Sequence, residues 1–282
     1  MSEEQVLILR AADGAQARLH PHGGHLLSWI PAGESVDRLY LSPISQPAPG
    51  VAIRGGVPVI FPQFASEGPL PKHGFARTAR WSRLAANSPV PAPARASLGL
   101  SDSDDSRAIW PQTFSAQLEV RIGGDALEVR LSVRNTGAQA FHFTAALHTY
   151  LRVNDLAEVE LLGLQGRRYR DSAAGGVERR EESPALRFQG EVDRIYFDTP
   201  AHLILRDGQR ALEVRQSGFA DTVVWNPGAT KAAALADLPP GDYRHFVCVE
   251  AACVGTPIQL APGAIWSASQ TLRALPGGDQ AQ

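Results

Sequence analysis

Cysteine is scarce in this chain of 282 residues, which contains only Cys248 and Cys253. So few thiols do not form the disulfide framework of a small secreted domain, and two thiols cannot complete a structural zinc site. We therefore interpret both residues as buried thiols of a protein that folds in a reducing compartment. Because 44% of the residues are hydrophobic, the chain has enough apolar surface to build a core.

The chain also lacks an excess of charge of either sign, since its net charge is -2 and its pI is about 6.4. Such a chain has no overall electrostatic reason to bind nucleic acid or an anionic membrane, so any anion must be recognised locally. Lysine is the rarest charged residue: only Lys72 and Lys231 occur, and arginine provides the rest of the positive charge. This scarcity makes a lysine within a polar segment worth attention.

No apolar run approaches the length of a membrane span. The first residues, Met-Ser-Glu-Glu-Gln-Val, are acidic and have no hydrophobic region of a signal peptide. We therefore expect a cytoplasmic protein with no membrane partner.

The motifs of nucleotide and metal enzymes are missing as well, since the chain has no Walker loop, no Gly-x-Gly-x-x-Gly and no His-Glu-x-x-His. Three histidines, His20, His22 and His25, lie close together and suggest a metal site at first sight. However, neither a carboxylate nor a thiol accompanies them, and their spacing matches no helical zinc motif. We predict neither a metal nor a cofactor.

Short segments with alternating apolar and polar residues dominate the chain. Between Leu127 and Val133, for example, every second residue is apolar and the others are charged or hydroxylic. Similar segments recur about every dozen residues, separated by turns rich in Gly, Pro, Asn and Asp, and no long amphipathic helix competes with them. This pattern predicts an all-β protein, a large antiparallel β-sandwich formed by a single domain over residues 1–282, with a frayed tail from about 276.

Two of the predicted strands carry polar groups in places that need an explanation. If residues 141–150 form one strand, His148 shares a face with His142, Thr144 and Tyr150, which suits the wall of a polar cleft. Glu250 lies in the apolar run from Val247 to Val254, where a carboxylate is costly unless it is paired or borders a cleft. We expect its pKa to be raised, which would suit a base near neutral pH.

Basic residues are concentrated in the stretch from Arg54 to Trp81, together with Gly and Pro. Such stretches form irregular loops, where binding groups concentrate. The candidate binding residues are Arg54, Lys72, His73 and Arg77, and an ordinary loop with solvated arginines is the alternative. Asp193 begins another strand, and the adjacent Arg194 is its candidate partner.

Seven segments of the chain, taken in their order, carry a resemblance to a known family: 54–64, 70–77, 110–111, 147–150, 191–196, 224–228 and 246–250. In these segments, and roughly from Ala17 to Leu272, the chain resembles the hexose-6-phosphate mutarotases, which are the glucose-6-phosphate 1-epimerases of the galactose-mutarotase-like group. The resemblance implies a large β-sandwich with the active site in a groove on one face.

The resemblance also implies roles for individual residues. His148 would be the general acid and Glu250 the general base; Arg54, the residue at position 72 and Arg77 would bind substrate, and Asp193 would contact the sugar. His73 lies inside a matching motif and is placed in the site. Position 72 departs from the family, which usually has Gln there. Lys72 keeps a hydrogen-bond donor and adds a charge that suits a phosphate.

We therefore predict a cofactor-independent isomerase that interconverts the α and β anomers of a hexose 6-phosphate. A base removes the proton of the C1 hydroxyl, and an acid protonates the ring oxygen as the ring opens. The alternatives are an aldose 1-epimerase for free sugars and a non-catalytic carbohydrate-binding protein on the same fold. The expected partner is the small-molecule substrate alone, with no nucleic acid, and we expect a monomer.

Overall fold

The computed structural model describes residues 6–85 and 94–276, and within them the regular secondary structure consists mainly of β-strands. The strands are β1 Leu7–Arg10, β2 Gln16–His20, β3 His25–Ile30, β4 Val59–Ile60, β5 Ser82–Arg83, β6 Ala94–Ser101, β7 Phe114–Gly123, β8 Ala126–Asn135, β9 Phe141–Leu147, β10 Tyr150–Arg152, β11 Val159–Leu162, β12 Arg168–Asp171, β13 Val177–Arg180, β14 Ala185–Leu186, β15 Val192–Tyr196, β16 His202–Asp207, β17 Arg210–Ser217, β18 Asp221–Asn226, β19 Phe246–Leu260 and β20 Ile265–Leu275. The α-helices are α1 Asp104–Ile109 and α2 Gly228–Ala232, and the 3₁₀ helices are Ala76–Thr78, Leu156–Glu158 and Asp242–His245.

The strands form three sheets. A small sheet has the order β1-β2-β3, a second has the order β13-β12-β15-β18-β19-β9-β4 with β10 also paired to β19, and a third has the order β14-β11-β16-β17-β20-β8-β7-β6-β5. Neighbouring strands in all three sheets are antiparallel. The predicted all-β antiparallel architecture is therefore confirmed. The expected frayed tail lies almost wholly outside the described residues.

The alternating pattern places one face of each large sheet in a common core. In β7 and β8, for example, Leu118, Val120, Leu131 and Val133 are fully buried, whereas the residues between them reach the surface. Burial of such aliphatic side chains stabilises the sandwich by roughly 1.5–3 kcal/mol each. Trp29 and Trp81 are the largest side chains that are fully buried.

The other face of the second sheet carries the residues of interest. Residues directly opposite each other on paired strands, and residues two apart along a strand, share a face. Two adjacent rows therefore cross β15, β18, β19 and the β9–β10 segment on one face. One row contains Asp193, Trp225, Cys248 and Tyr150, and the other contains Ile195, Val223, Glu250 and His148.

One detail of the predicted secondary structure is wrong. Residues 141–150 do not form one strand, because β9 ends at Leu147 and β10 begins at Tyr150. The interruption coincides with a tight turn in which Thr149 N donates back to Leu147 O (2.9 Å). The helix α1 begins after Ser103 with a capping box between Ser103 and Ser106.

No helix among the described residues is long and apolar enough to cross a membrane.

Candidate active site

A cavity of about 370 Å³ lies over this face of the second sheet and contains all seven residues proposed from the sequence. The sheet forms its floor. The loop from Phe64 to Arg77 forms one wall, and the segment from Trp225 to Asp237, which includes α2, forms the other. The residues that line it include Arg54, Lys72, His73, Arg77, His148, Asp193 and Glu250. Its volume is in the range of pockets that hold small molecules.

His148 and Glu250 meet on the floor of this cavity. Leu147 lies opposite Ala251 and Tyr150 opposite Cys248, so the same register on both sides of the break puts His148 beside Glu250. His148 Nε2 is 3.3 Å from Glu250 Oε1. Both side chains are buried, with exposures of 8% and 1%. Two polar atoms of the pair, His148 Nδ1 and Glu250 Oε2, have no hydrogen-bond partner among the described residues. An unsatisfied carboxylate oxygen in a pocket is suited to accept a proton from a ligand.

The environment of this pair favours uncharged side chains. Burial, reinforced by the nearby Asp193, raises the pKa of Glu250 well above its usual value. Burial, followed by the neighbouring His73, Arg77 and Arg54, lowers the pKa of His148 well below its usual value. The expected rise for Glu250 is confirmed in direction. These shifts disfavour the ion pair and favour a shared proton on Glu250 rather than on His148.

Aromatic rings hold His148 in place. Tyr150 stacks on it with ring centroids 4.9 Å apart and 10° between the planes, and Trp225 meets it edge-on at 5.8 Å. His73 approaches from the wall, with its ring 5.8 Å from that of His148. These contacts fix the orientation of the His148 ring, because within the described residues no hydrogen bond to its Nδ1 does so.

His73 occupies an unusual backbone conformation, with φ of 68°. The loop requires it, because His73 N donates to Ala65 O (2.8 Å) and Ala65 N donates back to His73 Nδ1 (3.3 Å). Nδ1 is therefore the acceptor, and the neutral ring carries its proton on Nε2. Burial lowers the pKa of His73 to about 3, so the ring is neutral. His73 can offer an N–H donor close to His148.

Gln63 braces the same loop rather than facing the cavity. It is 4% exposed, and its side chain donates to Ala65 O and Leu70 O and accepts from Leu70 N.

The two arginines differ in their partners. Arg54 Nε and Nη2 are 3.2 and 3.1 Å from Asp237 Oδ2, and Nη1 donates to Tyr150 Oη (3.0 Å). Burial alone would lower the pKa of Arg54, but Tyr150 and Asp237 raise it overall. Arg77 Nη2 donates only to the backbone O of Lys72 (3.1 Å), and no carboxylate in residues 6–85 or 94–276 pairs with it. Burial lowers the pKa of Arg77.

A half-buried guanidinium without a carboxylate partner is the feature of this cavity that most clearly calls for an anion. Arg77 meets that description and Arg54 does not. Sequence reasoning could not distinguish the two arginines, because the partner Asp237 is 183 residues away from Arg54.

The three histidines that suggested a metal instead support the basic stretch. His25 Nε2 donates to Gly55 O and His22 Nε2 pairs with Val51 O, both at 2.7 Å, while His20 Nδ1 accepts from His22 N. Burial lowers the pKa of His25 to about 3. Within the part of the chain that the structure describes, no cluster of three His, Cys, Asp or Glu residues is arranged to hold a metal ion.

Asp193 lies in β15 and faces the cavity, but the suggestion that Arg194 is its partner is wrong. Arg194 is on the opposite face, where it pairs with Asp171 (3.6 Å) and Glu181 (3.0 Å). Burial raises the pKa of Asp193, and the charges of Lys231 and Lys72 oppose that rise.

His142 is also not part of the site, because its side chain is exposed and lies six residues before His148, outside the cavity lining.

Sequence reasoning missed four residues around the cavity: Trp225, Lys231, Leu235 and Asp237. Trp225 lies in a segment that had been noted, and the rarity of lysine was the available signal for Lys231.

A larger depression of about 600 Å³ lies over the solvent side of β5–β8, and serine hydroxyls and small side chains dominate its lining. It contains no histidine or carboxylate, so we place the chemistry in the smaller cavity.

Comparison with known proteins agrees with this geometry. The family model described as Aldose 1-epimerase matches residues 5–273. A protein of Cenchrus ciliaris, named "Putative glucose-6-phosphate 1-epimerase", is 36% identical over 282 residues, which cover 96% of this chain and 84% of the relative. A protein of Escherichia coli K12 with the same name is 35% identical over 82% of this chain and 77% of its own length.

The architecture is shared with solved structures. The crystal structure of a "putative mutarotase" from Salmonella typhimurium superposes with a TM-score of 0.87 at 30% identity and covers 95% of this chain and 90% of that one.

Proposed function

We propose that this chain, which belongs to the aldose 1-epimerase family and is therefore an isomerase of sugar anomers, acts on a hexose 6-phosphate. The observation that carries the proposal is the cavity itself, where an unpaired guanidinium, that of Arg77, lies beside a buried His–Glu pair. A phosphate supplies the missing counter-charge, and the pair supplies proton transfer. The names of the relatives from Cenchrus ciliaris and Escherichia coli support the same substrate class.

The reaction requires one base and one acid. Glu250 removes the proton of the C1 hydroxyl, whose electrons form the aldehyde carbonyl as the C1–O5 bond breaks. His148 gives its proton to O5, so the open chain carries a C5 hydroxyl. Rotation about C1–C2 presents the other face of the carbonyl. Ring closure then reverses both transfers: His148 takes the proton from O5, and Glu250 returns one to the new C1 oxygen.

The buried pair is suited to a reaction that runs equally in both directions. One proton on two groups 3.3 Å apart allows one member to be the acid while the other is the base. Burial favours the proton on Glu250, and the negative charge of a bound ligand shifts the balance toward His148. No net proton is consumed.

The surrounding groups bind the substrate. Arg77 and Lys72 hold the phosphate, and arginine's planar fork suits its oxygens. Arg54, whose charge Asp237 already balances, donates hydrogen bonds to the same end of the substrate. Asp193 accepts from a sugar hydroxyl, and His73 donates its Nε2–H near the reacting end. Trp225 offers an apolar ring face to the sugar.

The direct test is exchange NMR between the α and β anomers of glucose 6-phosphate, with and without the protein. We expect acceleration by the wild type and a loss of about 10²–10⁴-fold in kcat with Glu250→Gln, the usual contribution of a general acid–base group. The same loss is expected for His148→Gln. Full activity of Glu250→Gln would refute the roles assigned to the pair. Equal kcat/KM on glucose and glucose 6-phosphate would instead favour a mutarotase of free sugars.

All the groups assigned to this site come from one chain, which supports action as a monomer. Sedimentation at assay concentration checks this, and a dimer that dissociates with loss of activity would contradict it.

A further inference from the structure

The only two lysines of the chain, Lys72 and Lys231, line the same cavity although 159 positions separate them. Lys72 is on the loop wall, and Lys231 is on α2 in the opposite wall. We propose that Lys231 is a further phosphate-binding residue that, with Lys72, forms a basic mouth selecting phosphorylated over free sugars. This inference rests on the proposed function.

The fold fixes the place of α2, and so of Lys231. Asn226, at the end of β18, donates through its side chain to Tyr243 O and Phe246 O and accepts from Gly228 N, at 2.8 to 2.9 Å. Gly228 has φ of 61°, and a Cβ there would lie 2.6 Å from Glu191 N, so α2 begins directly against the backbone that precedes β15. The helix is therefore anchored to the strand that carries Asp193.

Lys231 pairs with Glu191, with Nζ 2.7 Å from Oε1. The side chains are 46% and 32% exposed. Exposed pairs of this kind are weak, because water competes for both partners. A phosphate in the cavity carries up to two negative charges and several acceptor oxygens, so it competes well for the ammonium group.

The two lysine charges act on a common neighbour. Burial raises the pKa of Asp193, and Lys231 and Lys72 are both close enough to oppose this effect. Both ammonium groups therefore act electrostatically on Asp193, and Arg77 is joined to Lys72 through its backbone oxygen. In this arrangement a phosphate held by Arg77 and Lys72 on one wall faces Lys231 on the other.

The scarcity of lysine makes binding directly observable. Reductive methylation with ¹³C-formaldehyde adds methyl groups to amines and keeps their charge, so the carbon spectrum contains only Lys72, Lys231 and the terminal amine. Lys72→Arg and Lys231→Arg assign the signals. We expect glucose 6-phosphate and inorganic phosphate to shift both lysine signals in a saturable way, whereas glucose leaves the Lys231 signal unchanged. A Lys231 signal that ignores saturating glucose 6-phosphate overturns the proposal.

Kinetics provide the second test. Lys231→Gln is expected to raise KM for glucose 6-phosphate about 5- to 10-fold, with kcat nearly unchanged. This magnitude lies between the loss of a solvent-exposed ion pair and the loss of a hydrogen bond to a buried charged group. Compared with Lys231→Gln, Lys231→Arg should restore most of the affinity for glucose 6-phosphate. Turnover of glucose by Lys231→Gln should equal that of the wild type. The matched control is Arg95→Gln, which removes one positive charge from an exposed position in β6 of the other sheet.

The outcomes separate this inference from the proposed function. If the wild type accelerates anomer exchange of glucose 6-phosphate but Lys231→Gln has an unchanged KM, the role of Lys231 is wrong and the function stands. If Lys231→Gln loses equally on glucose, the residue does not select phosphate. If the wild type does not accelerate exchange at all, the proposed function fails.

Discussion

Replacing Arg77 by Gln is the change that most directly tests how this cavity recognises its substrate. Arg77 is half-buried and donates to a backbone oxygen only, whereas Arg54 already has the carboxylate of Asp237. Gln retains a polar side chain that can keep the bond to Lys72 O. The substitution therefore removes the charge and the fork of donors while disturbing the loop little.

The expected magnitude follows from the contacts. A hydrogen bond to a charged group contributes about 1.5–3 kcal/mol, and 1.4 kcal/mol corresponds to tenfold in kcat/KM. Arg77→Gln should therefore lower kcat/KM for glucose 6-phosphate by about 10- to 100-fold. Arg54→Gln should cost less of the preference for phosphate, because Asp237 already offsets the charge of Arg54.

The assay is exchange NMR over a range of substrate concentrations for glucose 6-phosphate and glucose, with Arg95→Gln as the control for a lost positive charge. Thermal unfolding is measured in parallel. Because no carboxylate among the described residues pairs with Arg77, Arg77→Gln should unfold at the same temperature or a higher one. Equal losses on both sugars, or a clear drop in melting temperature, would refute the assignment of Arg77 to phosphate binding.

Three further predictions concern stability and charge. Gly56→Ala should destabilise the protein by several kcal/mol, because a Cβ would lie 2.2 Å from Leu26 O at φ of 59°; chemical denaturation should show a much smaller loss for Gly14→Ala, where φ is 97° but nothing lies within 4 Å. The pKa of His73 is lowered to about 3, so between pH 6.5 and 3 only the unfolded state binds that proton and stability falls as the pH falls. His73→Asn should remove up to about 1.4 kcal/mol per pH unit from this dependence, and an unchanged slope in denaturation at pH 4 to 6 would contradict it. Asp237→Asn should lower KM for glucose 6-phosphate a few-fold at low ionic strength and less at high salt, since it leaves Arg54 without its counter-charge; a KM that does not depend on salt would argue against this.

Much of this arrangement could be predicted from the sequence. Alternation with a period of two identified β7 and β8, and the apolar run around Glu250 indicated a carboxylate that is not simply solvated. Each of these features depends on neighbours along the chain, which the sequence shows directly. The resemblance to the mutarotases gave the residues that meet in the cavity.

The remaining features depend on contacts between distant segments. Nothing local shows that Asp237 pairs with Arg54, or that Arg194 faces away from Asp193 toward Glu181. The placement of His148 beside Glu250 is similarly invisible, because it depends on the register between the β9–β10 segment and β19. The role of Lys231 required the fold to bring α2 opposite the loop that carries Lys72.

The closeness of Arg77 to the buried pair has a consequence for how the protein is switched on. Burial lowers the pKa of His148, and the charges of His73, Arg77 and Arg54 reinforce this effect, so they disfavour the charged acid that ring opening uses. We expect a bound phosphate to cancel part of that positive field and to favour transfer of the shared proton from Glu250 to His148. Under the proposed function the substrate's own phosphate would act as an activator, and its binding energy would contribute to turnover as well as to affinity. Phosphite added together with glucose should then accelerate turnover of the unphosphorylated sugar, and exchange NMR that shows inhibition alone would exclude this form of activation.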